Sequence, residues 1–455
     1  MKDVEADMLR LCFSFYQKGE FDKCWKATNA VLNEYPESAK ALYLLGILLR
    51  QDGNIGLALP IFGKALARDQ KQPNLWMNYG ACLHDLHLYE SAINAFNVVH
   101  ASLPTDPMPI ANIAASLVQM GKWHDCINKA DEALKIEPDH EIANISAGFA
   151  KLALGRWKDA WTHAEYMYGK SLVIRIYNYK EHEEPMWDGT KGQKVVVQCD
   201  QGLGDIIMFS QMLPQLQADC KEVIVECAER MEGYFKRNFP GITVQPTLKD
   251  QKVAWNLDNS VDAHIHISFL GMFYRNSDKD FPRKAYITPD PERFANWKEY
   301  LKQFPKPWKG IAWRGGIQRT QKHERSIELD ELKPIIDLPG TTFDLCYHDT
   351  SREIVRSGFD INDPHLDLSD YDDTIALIAA LDDVYTVTTT VAHVCGALGR
   401  KAKVLVPQVP TWRYAYRMDD EGMIWYPKNS VRLYRVKPGE EGWTNAINRS
   451  IKNKS

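Results

Sequence analysis

The apolar positions change period along the chain. Through the first third they recur three and four residues apart, in segments broken by polar turns, which is the period of half-buried helices. From Lys194 onward they gather instead into short β-branched runs, the signature of buried strands. Residues 195–199, 223–227 and 263–267 are such runs, with helices expected from 206 to about 216 and through Tyr234. A second series begins with GIAW at Gly310 and continues with FDLCYH from Phe343, VYTV from Val384 and KVLV from Lys403. Strands alternating with helices predict open parallel sheets, and residues 305–309 read as the seam between two α/β halves.

The helical third is periodic on a larger scale. Gly19, Gly53, Gly121 and Gly155 are separated by 34, 68 and 34 residues, and His87 fills the missing slot. Two residues later stand Phe21, Ile55, Tyr89, Trp123 and Trp157; three further on stand Cys24, Ala58, Ala92, Cys126 and Ala160, all small. Pro36, Pro104 and Pro138 close three units, with Gln70 at that place in another. A 34-residue period with this order is the tetratricopeptide pattern. A turn former ends the first helix, a large residue wedges between helices, a small one lets the pair approach, and proline stops the second helix. About five such pairs are expected over residues 1–168, stacked because no pair can bury its apolar face alone. The array reads as a concave groove for an extended peptide or protein partner, or as an element that only rigidifies or dimerises the chain. Asn78, Asn112 and Asn144 are candidate amides for gripping a peptide backbone; caps and surface polarity account for them equally well. Residues 169–190 form an aromatic connector, too rich in tyrosine for a flexible linker.

Composition narrows the classes. At 45% hydrophobic, 25% charged and a net charge of −5, the 455-residue chain has no global nucleic-acid signature. Its nine cysteines are dispersed with no C-x-x-C pair, which predicts buried thiols in a reducing compartment, a cytoplasmic protein, and no zinc site. No run approaches the ~18 apolar residues of a membrane span, and no secretory leader is expected.

Three stretches carry candidate chemistry. The first strand runs into D-Q-G-L-G-D at 200–205, where glycines bring backbone close to a ligand; it lacks the full dinucleotide fingerprint. Asp205 there is either a general base or the N-cap of a helix starting at Ile206. Residues 387–398, VTTTVAHVCGAL, read as strand, hydroxyl-rich turn and helix N-terminus. Free N–H groups, a positive macrodipole end and the hydroxyls of Thr388, Thr389 and Thr390 suit a diphosphate. His393, one turn into that helix, is a phosphate or sugar ligand or a core histidine. The loop at 314–326 carries Arg314, Arg319, Lys322 and Arg325 after a strand, facing a diphosphate or simply solvated. The D-K-D at 278–280 reads as a surface turn, and Asp382 with Asp383 as a helix end, not as metal ligands.

Taken in order, QGLGDIIMFSQMLP, FPRKAYITPDPERFANW, GIAWRGG…HERSI, DDTIALIAALDDVYTVTTTVAHVCGALG and VPTWRYAYRMDD…WYPKNSVRLYR form a set that resembles heptosyltransferase-like GT-B glycosyltransferases joined to tetratricopeptide repeats. It is more distantly similar to the protein O-linked N-acetylglucosamine transferases. The resemblance implies an α-solenoid followed by a GT-B fold of two Rossmann-like halves. The acceptor-side half spans 191–304, the donor half 305–440, and a final helix at 441–455 crosses back to the first half. It implies metal-independent, inverting transfer from a nucleotide-sugar to a hydroxyl of a protein or glycan chosen by the repeats, with no cofactor beyond that co-substrate. It makes Asp205 the base and places Gln201, Gly202 and Gly204 in the acceptor-side loop. Arg314, Lys322, Arg325, Thr388, Thr389, Thr390, His393 and Arg413 fall at the donor. Two positions depart from the family pattern: Thr388 stands where an Asp is usual, and Thr411 replaces another. These leave open an altered donor, or a repeat scaffold whose transferase-like domain is inactive.

Overall fold

The computed structural model describes residues 2–169, 184–199, 202–247, 261–316, 324–347, 350–367, 369–417 and 422–452. The chain divides into two compact units, Met1–Ala150 and Lys151–Ser455.

The first unit is a helical-repeat region. Its helices are α1 (Lys2–Gln17), α2 (Phe21–Glu34), α3 (Ala39–Gln51), α4 (Ile55–Leu66), α5 (Pro73–Asp85), α6 (Tyr89–Ser102), α7 (Pro107–Gln119) and α8 (Trp123–Ile136), with α9 (Glu141–Ala153) at its end. The turns between paired helices share one geometry. Gly19, Gly53, Gly121 and Gly155 all have φ near +70°, and His87 adopts φ 64° in the same role. At His87, its own N–H reaches the His84 carbonyl and that of Leu88 reaches Leu83, the double bond that closes a left-handed helix end. The strain of a non-glycine residue there is offset in part by a 2.9 Å hydrogen bond between His87 Nδ1 and the Tyr89 hydroxyl.

The small positions Cys24, Ala58, Ala92 and Cys126 are fully buried, as close helix packing requires. Gly46 and Gly80, also 34 apart, lie against the rings of Phe62 and Phe96; a Cβ would stand 2.6 and 2.7 Å from them. Burying each ring contributes about 2–3 kcal/mol. The wedge position is less uniform than the pattern predicts: Tyr89 is buried, whereas Phe21 is 46% exposed. Asn78 donates to the Asn74 carbonyl and the Tyr43 hydroxyl, and Asn144 is buried and donates to the carbonyls of Pro138 and His140. Asn144 therefore staples a helix start instead of facing a groove.

The second unit begins with α10 (Trp157–Trp161). A parallel four-stranded sheet follows, in the order β3-β2-β1-β4: β1 (Lys194–Gln198), β2 (Glu222–Cys227), β3 (Thr243–Pro246) and β4 (Ala263–His266). Helices α11 (Leu203–Ser210) and α12 (Leu213–Asp219) follow β1, α13 (Glu232–Asn238) follows β2, and α14 (Leu270–Tyr274) and α15 (Pro291–Leu301) follow β4. The single helix expected from 206 is thus two, and Pro214 explains the break: it is tolerated only in the first turn of a new helix. A second parallel sheet has the order β6-β5-β7-β8-β9. It comprises β5 (Trp308–Ala312), β6 (Thr341–Asp344), β7 (Asp383–Val387), β8 (Ala402–Val406) and β9 (Val431–Arg435), with α16 (Lys333–Ile336), α17 (Ser351–Ser357), α18 (Tyr371–Ala380), α19 (Thr390–Leu398), α20 (Trp412–Ala415) and α21 (Thr444–Lys452) around it. The second unit therefore carries two Rossmann-like halves.

Helix α15 packs on α18, so it serves the second half although it precedes the seam. The run FDLCYH is strand only to Asp344, whose carboxylate accepts from the Cys346 N–H at 2.7 Å and from the Thr350 hydroxyl and so turns the chain. The closing helix does not cross back. Helix α21 lies on β8, β9 and α16 and joins Ile311, Trp313 and Tyr434 in one core through Trp443, Ala446 and Ile447. Its apolar stripe packs on one face of its own sheet. The connector from 170 to 183 lies outside the described residues.

Candidate functional site

Each sheet reverses its strand order once. The chain passes from β1 to β2 and β3 on one side and then to β4 on the other; likewise from β5 to β6 and then to β7. Ligands of open α/β sheets sit beyond the strand ends at such reversals. The segment leaving β1 enters α11, and the one leaving β7 enters α19. These two helices pack on each other, so the two reversal points share one location. Gly204 makes the approach possible: a Cβ there would stand 2.8 Å from His393 Cδ2 and 3.4 Å from Thr390 Cα.

Asp205 is in the first turn of α11, whose N-cap is Gly202, so its carboxylate is free of capping duty. It forms a two-pronged ion pair with Arg413 of α20 in the other half: Arg413 Nη2 donates to Oδ2 at 2.6 Å and Nε donates to Oδ1. Both side chains are 18% exposed. The Arg413 guanidinium also lies 4.8 Å from the Trp412 ring centre, and Trp412 packs edge to face with Trp425. Burial opposes the charge on Arg413, and the Asp205 carboxylate outweighs it and holds the guanidinium above its ordinary range.

The other half contributes a second arginine. Arg325 Nε donates to the Thr388 hydroxyl at 3.1 Å, and Nη2 donates to the Thr388 carbonyl. Among the described residues it has no carboxylate at ion-pair distance, and burial, followed by the neighbouring Arg413, lowers its pKa. Gly315 lets its loop lie on the threonine turn, since a Cβ would meet the Arg325 carbonyl at 2.7 Å and Thr389 Cγ2 at 3.3 Å. The Thr389 hydroxyl accepts from the Val391 N–H at 3.3 Å, capping α19, and pairs with the Thr386 hydroxyl at 2.9 Å. Thr390 opens the helix.

His393 is buried and both ring nitrogens are engaged: Nδ1 with the Tyr426 hydroxyl at 2.7 Å and Nε2 with the Tyr414 hydroxyl at 3.0 Å. Burial first, then the charges of Arg413 and Arg325, push its pKa down to about 3, so it is neutral. Its observed work is to hold α19 to two tyrosines that sequence reasoning passed over. Their only trace in the chain is their place inside two of the motif segments, WRYAY and WYP. Arg314 turns from the turn at 388–390 to Glu353, at 2.5 Å, and to Glu328, at 3.1 Å. Gln201 and Lys322 lie outside the described residues.

The D-K-D stretch is more than a surface turn. Asp278 is partly buried and accepts from Trp157 Nε1 at 2.8 Å, the Tyr416 hydroxyl at 2.5 Å and Arg417 Nη2 at 2.6 Å, while Asp280 caps the Asn276 and Ser277 N–H groups. The sequence offered no sign of these partners, which lie 121 to 139 residues away. Among the described residues no group of three or more His, Cys, Asp or Glu side chains is placed to hold a metal ion, and no helix is long and apolar enough to cross a membrane.

Fold and site together define a helical-repeat protein carrying two Rossmann-like halves, with an arginine- and threonine-lined strand-end site between them. No family model matches the chain. It is similar to protein FlbA of Caulobacter vibrioides, at 25% identity over 427 residues, which covers 88% of this chain and 70% of FlbA. Among solved structures, MamA from Desulfovibrio magneticus RS-1 is similar at 20% identity and a TM-score of 0.32, over 36% of this chain and 90% of MamA. PilF of Pseudomonas aeruginosa is similar at 15% identity and a TM-score of 0.35, over 48% of this chain and 86% of PilF.

Proposed function

We propose that the second unit is a GT-B glycosyltransferase that moves a sugar from a nucleotide-sugar to an acceptor hydroxyl, and that the repeats select a protein or glycan acceptor. The observation that carries this reading is the packing of α11, which holds Asp205, on α19, which the threonine turn opens, at paired strand-order reversals. The donor diphosphate lies at the start of α19, where the helix dipole, Arg325 and Arg413 offset the charge that develops as the nucleotide leaves. Asp205 takes the proton of the attacking hydroxyl. The leaving group is neutralised by arginines and backbone, and the reaction needs no metal. Thr388 in place of an acidic residue leaves the Arg325 charge for the ligand instead of for an internal pair.

A nucleoside diphosphate is expected to raise the melting temperature, by linkage. Asp205→Asn is expected to retain that binding and lose transfer; full transfer by this variant removes Asp205 as the base. One observation favours a second reading, a binding scaffold with an inactive transferase-like domain: Arg413 takes up both oxygens of Asp205. No thermal shift with any nucleotide-sugar of a broad panel decides for that scaffold.

A further inference from the structure

Resting on the glycosyltransferase reading, we propose that Arg413 is a positioning residue shared between two anions: it holds Asp205 until the donor binds, and the donor diphosphate then takes its fork and leaves Asp205 unpaired. Asp205, Arg413, Arg325 and His393 sit together, and His393 is neutral between two tyrosine hydroxyls. Among the described residues two cations therefore face one carboxylate, a surplus of one positive charge. Asp205 meets Arg413 through both oxygens, so an acceptor hydroxyl competes with the guanidinium for the carboxylate in this state. A guanidinium fork fits a phosphate as well as a carboxylate, and a diphosphate between Arg413 and Arg325 carries more charge than Asp205 does.

The exchange is inexpensive on both sides. Arg413 trades one bidentate anion for another while its guanidinium stays beside Trp412. Freed Asp205 keeps favourable surroundings, because it sits in the first turn of the eight-residue α11, where the helix dipole stabilises a negative charge. Neither side chain is sealed off, each being 18% exposed. The consequence is an order of events: the carboxylate becomes available to an acceptor hydroxyl only after the donor is seated.

The test uses the full chain and calorimetric titration with UDP, GDP, CDP, ADP and inorganic pyrophosphate. Asp205→Asn removes the competing anion, so a diphosphate that binds the wild type is expected to bind this variant about tenfold more tightly, the worth of one charge-assisted contact. Arg413→Gln weakens binding, and adding Asp205→Asn to it brings no gain. Unchanged or weaker binding by Asp205→Asn overturns the exchange while leaving the donor site standing. No binding of any probe by wild type removes the donor site and the exchange with it. Should Asp205→Asn fail to fold, the Nε–H resonance of Arg413 in the wild type, assigned with Arg413→Lys, gives the same answer. Displacement on adding the diphosphate supports the exchange; an unmoved resonance at saturation refutes it.

Discussion

Replacing Gly204 by alanine inserts one methyl group where the two Rossmann-like halves touch. The new Cβ would lie 2.8 Å from His393 Cδ2, which is 0.6 Å inside the 3.4 Å where ordinary contact begins (3.4 − 2.8). The imidazole has little room to retreat, because Tyr414 and Tyr426 hold it from both nitrogens. The second neighbour, Thr390 Cα at 3.4 Å, is backbone. Relief must come from separating α11 and α19, and overpacking of this kind costs about 1–3 kcal/mol. With two compact units a global melting curve would mix their contributions, so hydrogen exchange is the better assay. Amides of α11 and α19 are expected to exchange roughly 5- to 150-fold faster, the equivalent of that cost, while those of α3 to α6 are unchanged. In a His393→Ala background most of the penalty should vanish. Gly56→Ala serves as the control: it lies in α4 with nothing within 4 Å of its Cβ, and is expected to stabilise the repeats by about 0.5–1 kcal/mol. Unchanged exchange in Gly204→Ala, or an equal penalty with and without His393, would falsify the steric argument and with it the claim that glycine is needed for the halves to meet.

Three further outcomes follow from the same geometry. Asp372, 5% exposed in its side chain, accepts both Arg237 Nη1 at 2.5 Å and Nη2 at 2.6 Å across the halves; Asp372→Ala strands that guanidinium and should cost about 3–5 kcal/mol, measured by denaturation, with Arg237→Leu recovering part of it. Because the His393 pKa falls from 6.5 to about 3 on folding, the unfolded chain binds the extra proton between those values. Its contribution is intact above pH 6.5 and declines as pH drops toward 3, by at most about 1.4 kcal/mol per pH unit; a His393→Gln variant with the same pH slope would contradict this. His87→Gly should stabilise the first unit by up to about 1 kcal/mol by relieving φ 64°, less what the Tyr89 hydrogen bond supplied, and a lower stability would show that bond to dominate.

What the sequence disclosed depended on how local the cause was. The repeat register was visible because each turn needs a residue tolerant of positive φ, and that demand recurs every 34 positions. His87 was identified by its slot alone. Interior strands β1, β5, β7 and β8 announce themselves as apolar runs, since both of their faces are covered. Edge strands β3 and β9 do not: the first is largely exposed, and the second interleaves Arg432 and Arg435 with its apolar residues. At the site, Asp205 and the threonine turn could be singled out from glycine, hydroxyl and strand-end placement. Their partners could not. Arg413 is 208 residues from Asp205, and Tyr426 is 33 from His393; such pairings are made by tertiary packing, which no local pattern encodes. The crossing-back of the final helix was implied by the family resemblance alone; its amphipathic pattern says that a face is buried, without saying on which sheet.

The anchoring of α10 has a practical corollary. Trp161 gives its indole N–H to the Arg275 carbonyl and fills the space above Gly271, while Trp157 touches Phe281 and Trp425. Trp157 obeys the repeat's spacing, yet both tryptophans serve as floorboards of the α/β unit. A chimera grafted with a foreign repeat array should therefore be spliced ahead of Lys151, because a cut after Trp161 would carry off part of the recipient's own interior.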